Sequence, residues 1–256
     1  MKISSLKLIS IVSSLAAITG CAHVVETKTI VSNGAQYMAE NFTPAQLNQP
    51  VREALNRGET FPKLFSKIDL ITTAESEDNG KISTVTGKVT YTNLGNGFLQ
   101  QRTEYSKNDV TYRINLALLY AGIHTVKRQS TFTDFKNAQN PVEMREVSQF
   151  DRGIVKPREG QSYVYATKYG TTEQISNLLE YKETCVAGRA IDASSVNASF
   201  SGQAVPLECT RIGVTGLVTS KAKFVWIEKL GMAFLTETTD SSVVTRYKIS
   251  SVSIAG

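Results

Sequence analysis

The chain has 256 residues, 41% of them hydrophobic and 20% charged, with 28 Lys and Arg against 23 Asp and Glu. That length and apolar share can bury a real core, which excludes wholesale disorder, and no second long apolar run suggests a multi-span membrane protein. The basic excess is small and scattered, which argues against a nucleic-acid binder, and two histidines with three cysteines leave little material for a metal or other cofactor.

Met1 to Lys7 is a short basic stretch, and Leu8 to Ile18 is apolar, broken only by small residues. A run that short cannot cross ~30 Å of hydrocarbon, so residues 1–20 read as a signal peptide. It ends in Ile18-Thr19-Gly20-Cys21, which resembles the lipobox of bacterial lipoproteins: an aliphatic residue, two small residues and a cysteine. The resemblance implies that Cys21 becomes the mature N-terminus, bearing thioether-linked diacylglycerol and an amide-linked acyl chain such as palmitate. At about 0.8 kcal/mol per buried methylene, several chains anchor a protein firmly to a membrane. Ala22, where such lipoproteins carry Asp for inner-membrane retention, implies the outer membrane and a periplasm-facing body. Loss of Lys2 and Lys7 leaves bases and acids near parity, so electrostatics do not target the mature chain.

Residues 21–42 read as the lipidated N-terminus and a tether, with weak alternation from His23 to Ile30 and a turn signal at Ser32-Asn33-Gly34. Residues 43–256 read as one β-rich domain. It opens with Thr43-Pro44-Ala45-Gln46 and then Gln49 to Gly58, where Pro50 lies in a first helical turn, Val51, Ala54 and Leu55 share a face, and Gly58 is placed to stop the helix.

From residue 67 the pattern becomes period two. Strands are predicted over 67–74, 81–91, 98–105 and 110–120, with turns at Asn79-Gly80, Asn93 to Gly97 and Lys107-Asn108-Asp109. The clearest strand places Tyr112, Ile114, Leu116, Leu118 and Tyr120 on one face. Further strands are predicted over 125–133, 142–150, 162–168, 175–184, 217–228, 232–238 and 243–253. The fold class is therefore mainly β: a single curved antiparallel sheet or incomplete barrel with one or two short N-terminal helices. Charged residues on both faces of several strands, and an end at Ile254-Ala255-Gly256 without a terminal aromatic, argue against a membrane-spanning barrel.

With Cys21 assigned to lipid, Cys185 and Cys209 form an even pair in an oxidising compartment and are expected to be disulfide-bonded, for about 3.5 kcal/mol. Two buried free thiols or a redox pair are the alternatives, although no Cys-x-x-Cys is present. The 185–209 stretch, rich in small residues, is either a stapled excursion or a surface presented to a partner.

Catalytic signals are weak, and no enzyme is expected. His124 sits in a strand-like stretch with no nucleophile elbow in the chain. Glu75, Glu77 and Asp78 fall in a hairpin tip, where a solvated turn explains them. Gly95-Asn96-Gly97 joins strand to strand, unlike a phosphate cradle. Tyr163, Tyr165 and Tyr169 beside Lys168 read as an aromatic patch or as ordinary strand residues.

The segments Gly202 to Cys209 and Phe224 to Gly231 resemble parts of uncharacterised Gram-negative envelope proteins. The second is similar to the closing strands of open-barrel periplasmic proteins of the LolA and LolB kind. That resemblance implies an incomplete barrel able to hold an acyl chain, although residues 43–58 supply less lid helix than those carriers have. The favoured function is non-enzymatic binding of an apolar ligand or lipid on the face of Tyr112, Ile114, Leu116, Leu118 and Tyr120. The alternative is a scaffold or assembly subunit of an envelope complex, presenting the 185–209 loop to a protein partner.

Overall fold

Turn chemistry orders the first strands. At Asn79-Gly80, Asn96-Gly97 and Asn108-Asp109 both residues adopt positive φ, the conformation of tight hairpin turns that suit the twist of the flanking strands. The computed structural model describes residues 24–57 and 61–256. The expected signal peptide, the lipobox, Cys21 and the Gly58 stop lie outside the described residues.

The described chain opens with α1 (Thr27–Asn41) and α2 (Gln49–Asn56), with one 3-10 turn at Pro44–Gln46 between them. Five strands follow: β1 (Lys67–Asp78), β2 (Lys81–Gly95), β3 (Phe98–Lys107), β4 (Val110–Tyr120) and β5 (His124–Phe132). Next come β6 (Val142–Phe150), β7 (Ser162–Thr171), β8 (Leu179–Ala187) and the two-residue β9 (Ile191–Asp192). The last four are β10 (Gln203–Gly213), β11 (Val218–Ile227), β12 (Met232–Asp240) and β13 (Val243–Ala255).

Sequential neighbours other than β8 and β9 pair antiparallel, β1 pairs with β13, and β8 pairs with β10. The expectation of a single curved sheet or incomplete barrel is thereby corrected: twelve strands form a closed antiparallel barrel, with β9 a short addition beside β10. Closure satisfies edge groups that an open sheet would leave unpaired.

Two seams in the ring are thin. Between β5 and β6 only Lys127↔Glu143 and Arg128↔Val142 are in register. Between β12 and β13 pairing runs only from Glu237↔Arg246 to Asp240↔Val243. Each seam is caulked by non-strand chain. At the first, Thr27 N–H donates to Lys136 O (3.0 Å), Ala138 N–H to Val25 O (2.9 Å), and Asn48 Nδ2 to Arg145 O (2.8 Å). At the second, Asn197 Nδ2 donates to Ile249 O (3.1 Å) and Phe200 stacks on Phe234 with centroids 5.1 Å apart.

The ring is also pinched. The β4–β5 turn meets β12, where Ala233 N–H donates to Ala121 O (3.0 Å). Gly122 is required there: its φ is +74°, and a Cβ would lie 2.3 Å from Ala233 O. Apolar side chains accordingly gather in two clusters. One joins Ile30, Phe42, Val51 and Leu55 of the helical segment to Ile114, Leu116 and Leu118 of β4. The other joins Leu119 of β4 to Leu70, Tyr91, Phe200 and Phe234. β4 is buried on both faces near its end, which explains its unbroken apolar run from Leu116 to Tyr120.

Residues 27–41 are helical, correcting the tether reading of residues 21–42. β-branched residues and Ser32-Asn33-Gly34 lower the intrinsic helix propensity. Packing overrides it, because Thr27, Ile30, Gly34, Tyr37 and Met38 recur at helical spacing and are all buried. Asn33 departs from helical geometry (φ −124°, ψ 30°). Arg102 Nη1 donates to Ile30 O (3.0 Å) at this kink, and its guanidinium occupies the space a Cβ on residue 34 would need. α2 matches expectation, with Pro50 in its first turn, Asn48 capping Val51 N–H (3.0 Å), and Val51 and Leu55 buried.

The strand expected over 175–184 lies at Leu179–Ala187, and β10 was not foreseen. Pro206 disguises it, since proline is rare in paired strands. Here Pro206 sits where β10 exchanges β8 for β9, with its carbonyl receiving Gly188 N–H (2.8 Å), so its missing donor faces the step between those partners.

Candidate functional site

Two polar constellations stand out, one inside the ring and one at its rim. In the interior, β5, β8 and β10 bring together His124, Glu183 and Arg211. His124 Nδ1 lies 3.3 Å from Glu183 Oε1, and Arg211 donates from Nε (3.0 Å) and Nη2 (2.8 Å) to Oε2. Burial pushes the Glu183 carboxyl up, but the His124 contact and the Arg211 charge outweigh burial and hold it down to about 2. The His124 ring packs on Tyr165 with centroids 3.8 Å apart, and its buried Nε2 has no protein hydrogen-bond partner among the described residues. A void of about 10 Å³ beside these groups has room for one water. Glu183 also approaches Cys185 and Cys209. Those two cysteines are joined in a disulfide between directly opposed residues of β8 and β10, which leaves no thiolate to complete a metal site.

Tyr163 and Tyr165 are 0% and 1% exposed, so they form no surface patch. They act as struts for the segment after β6. Tyr165 Oη donates to Asp151 O (2.9 Å), and Tyr163 Oη receives Arg158 N–H (2.9 Å). Asp151 caps the following 3-10 turn by accepting Gly153 N–H (3.0 Å), and Ile154 is fully buried beneath it. Tyr169 Oη donates to Thr125 O (3.0 Å).

That braced segment forms one wall of the rim groove. Its apolar half is a cavity of about 420 Å³ lined by Phe61, Leu64, Val155, Val205 and Trp226, with Glu228 and Gln203 among its polar residues. Leu64 is 46% exposed there, while Trp226, the only tryptophan of the chain, is 4% exposed. A neighbouring cavity of about 510 Å³ is lined by Arg57, Arg152, Lys156 and Arg158, and the two share Phe61, Val155, Lys156 and Arg158. Arg152 lies over the Phe61 ring, 5.7 Å from its centroid. Among the described residues, apolar side chains line one side of the groove and the basic ones gather at the other.

The sequence-derived ligand face is elsewhere. Ile114, Leu116, Leu118 and Tyr120 are at most 2% exposed and are packed by the chain's own side chains; Tyr112 is only half-buried. Gln100 and Arg102 on β3, opposite Leu118 and Leu116, bond α1 and Phe42 carbonyls, so this face carries the helical segment. In the 185–209 excursion Ala193 and Phe200 turn inward, at 0% and 3% exposure, while residues 189–192, 194–195, 198–199 and 201–203 stay exposed. Of the groove residues, Gln203, Val205, Trp226, Glu228 and Gly231 lie in the two segments quoted for their resemblance, but none was read from sequence as a binding residue. Lys156-Pro157-Arg158 was the available local cue; Phe61, Val155 and Trp226 meet only in the folded chain.

No family model matches the chain, and no curated protein matches it in sequence. Three solved structures are similar in shape. A beta-barrel-like protein of a domain of unknown function, DUF1849, from Brucella abortus has 12% identity and a TM-score of 0.44, over 76% of this chain and 99% of its own. A putative outer membrane lipoprotein-sorting protein domain from Vibrio parahaemolyticus has 11% identity and a TM-score of 0.41, over 82% and 90%. The hypothetical lipoprotein YmcC from Escherichia coli has 8% identity and a TM-score of 0.38, over 80% and 95%. At these values none assigns a role to a residue of this chain.

Proposed function

We propose that this protein is a lipid-anchored envelope protein, facing the periplasm from the outer membrane, that binds an apolar ligand without chemical turnover. The reading moves the ligand from the face of β4 to the rim groove. The observation that carries it is the 420 Å³ groove beside Trp226, within the usual size of a small-molecule site and walled by a segment braced through Tyr163 and Tyr165. The exposed Leu64 side chain supports it, since apolar surface left at the mouth of a concavity favours an apolar occupant. The anchor is proposed from Ile18-Thr19-Gly20-Cys21.

The test has two parts. Cys21→Ala should release the protein from membranes, and unchanged fractionation would remove the anchor. The same variant, purified without detergent, should yield a stoichiometric apolar molecule on organic extraction and mass spectrometry. An empty protein whose Trp226 emission also ignores added cis-parinaric acid would remove the ligand-binding reading.

A further inference from the structure

We infer that the end of the barrel opposite the rim groove rests on the bilayer that holds the Cys21 lipid, with the apolar tips of the β5–β6, β7–β8 and β10–β11 connections entering its surface. This rests on the lipid-anchor reading and names the face that the anchored body turns to the membrane.

Antiparallel pairing sorts the strand connections into two ends. The groove belongs to one of them, where Gly97, Val155, Gln203 and Glu228 line it. The connections after β5, β7 and β10 lie at the other end and follow one another round the ring. Among the described residues, every large hydrophobic side chain that is more than half exposed is at this second end. Ile175 is 92% exposed, Val214 77% and Leu217 70%. Register between Gly213 and Tyr181 sets the Val214 turn beside the start of β8, so these tips are neighbours. Single exposed apolar residues are ordinary, whereas a group confined to one end marks an interaction surface.

Covalent geometry identifies the surface. Val25 O receives Ala138 N–H (2.9 Å) and Thr27 N–H donates to Lys136 O (3.0 Å), so the chain enters the described fold beside the β5–β6 connection, next to Phe135. Three residues separate Cys21 from Val24, a reach of at most about 11 Å. Acyl chains on Cys21 therefore keep this end close to the headgroups, and the effective concentration so conferred makes weak apolar contacts sufficient. The charges fit insertion. From Ile212 to Ser220 no residue is charged, and the other two connections carry only Asp134, Lys136 and Glu173. Two acids and one base give no attraction to anionic lipid, so the contact should persist at high salt.

Ile175→Cys, Leu217→Cys and, as a control in the exposed groove-end connection after β8, Ala190→Cys are made one at a time in the full lipidated chain. Cys185 and Cys209 are paired and Cys21 is taken up by lipid, so the new thiol alone accepts an NBD fluorophore. The proteins are reconstituted into phosphatidylethanolamine–phosphatidylglycerol vesicles. Nitroxides high on the lipid acyl chains should quench the labels at positions 175 and 217 and spare the label at position 190. Val214→Asp with Leu217→Asp should abolish quenching at position 175. Because both sites are exposed, the double variant should keep its thermal unfolding midpoint and stay on the vesicles. Labels at 175 and 217 quenched no more than the one at 190, in protein that floats with the vesicles, would overturn the inference and leave the anchor intact. Protein that never floats with vesicles would remove the anchor reading and the inference with it. Shielding of the same labels in the Cys21→Ala background without vesicles would overturn the bilayer assignment in favour of a second copy of this chain.

Discussion

The β4 face and the rim groove are both apolar surfaces built on strands, yet they have opposite fates. On β4 a period-two run of large side chains clusters with Ile30, Phe42, Val51 and Leu55 of the helical segment, leaving Leu116 at 1% and Leu118 at 0% exposure. At the rim, single residues from separate elements converge, and Leu64 stays 46% exposed. Alternation in a strand shows that a face is apolar. It does not show what covers it. A face that the chain itself covers is core, whereas one that it leaves open is available to a ligand.

The strongest way to break that contrast is Leu116→Glu. A carboxylate placed there would lie opposite Arg102, which is already committed to Ile30 O and Glu104, so the charge is buried without adequate pairing at a cost of several kcal/mol or more. The variant should fail to fold, and Leu116→Ala should lose about 2–5 kcal/mol in denaturant unfolding. A folded, soluble Leu116→Glu protein would show that α1 and α2 lift off readily and that the β4 face is a covered cavity after all.

The interior His124–Glu183–Arg211 group sharpens the same contrast by testing whether buried polar groups are structural. Glu183 is held down to about 2, below the usual value near 4.5, so its contribution is fully present above the higher value and lost as pH falls from about 4.5 towards 2. The difference corresponds to about 3 kcal/mol. Glu183→Gln should therefore be less stable near neutral pH and show a flatter acid limb in unfolding measured across that window. Identical limbs for the two proteins would detach Glu183 from stability. Arg211 is 37% exposed at its side chain, so water softens the cost of leaving it without the carboxylate.

Legibility in the sequence followed the range of the physics. The hairpins from β1 to β4 were readable because Asn-Gly and Asn-Asp turns act within a few residues, and the strands between them alternate cleanly. Ring closure was not readable, because β1–β13 pairing joins distant segments through register and packing that no local motif encodes. α1 was obscured by a locally unfavourable Ser32-Asn33-Gly34, whose kink is supported by Arg102 from a distant strand. The cysteine pairing was foreseen from parity alone, yet the direct opposition of Cys185 and Cys209 on neighbouring strands was not. The groove was least readable: Val205 and Trp226 oppose each other across β10 and β11, but Phe61 and Val155 join them only after the ring has closed and the 151–161 segment has been braced.

The smallest stability effect belongs to the rim, and it is the most discriminating. Leu64→Glu replaces an apolar side chain that is already 46% in water, in the segment leading to β1 and outside any ladder. Its charge remains hydrated, so unfolding should shift by no more than about 0.5 kcal/mol. If the groove holds an acyl chain, the same change places a carboxylate against its path and near Glu228, and Trp226-detected cis-parinaric acid binding should fall sharply. The two readouts must separate: stability nearly untouched, binding lost. Loss of both together would make Leu64 a packing residue and return the rim to the same class as β4, whereas retention of both would place the ligand away from this wall.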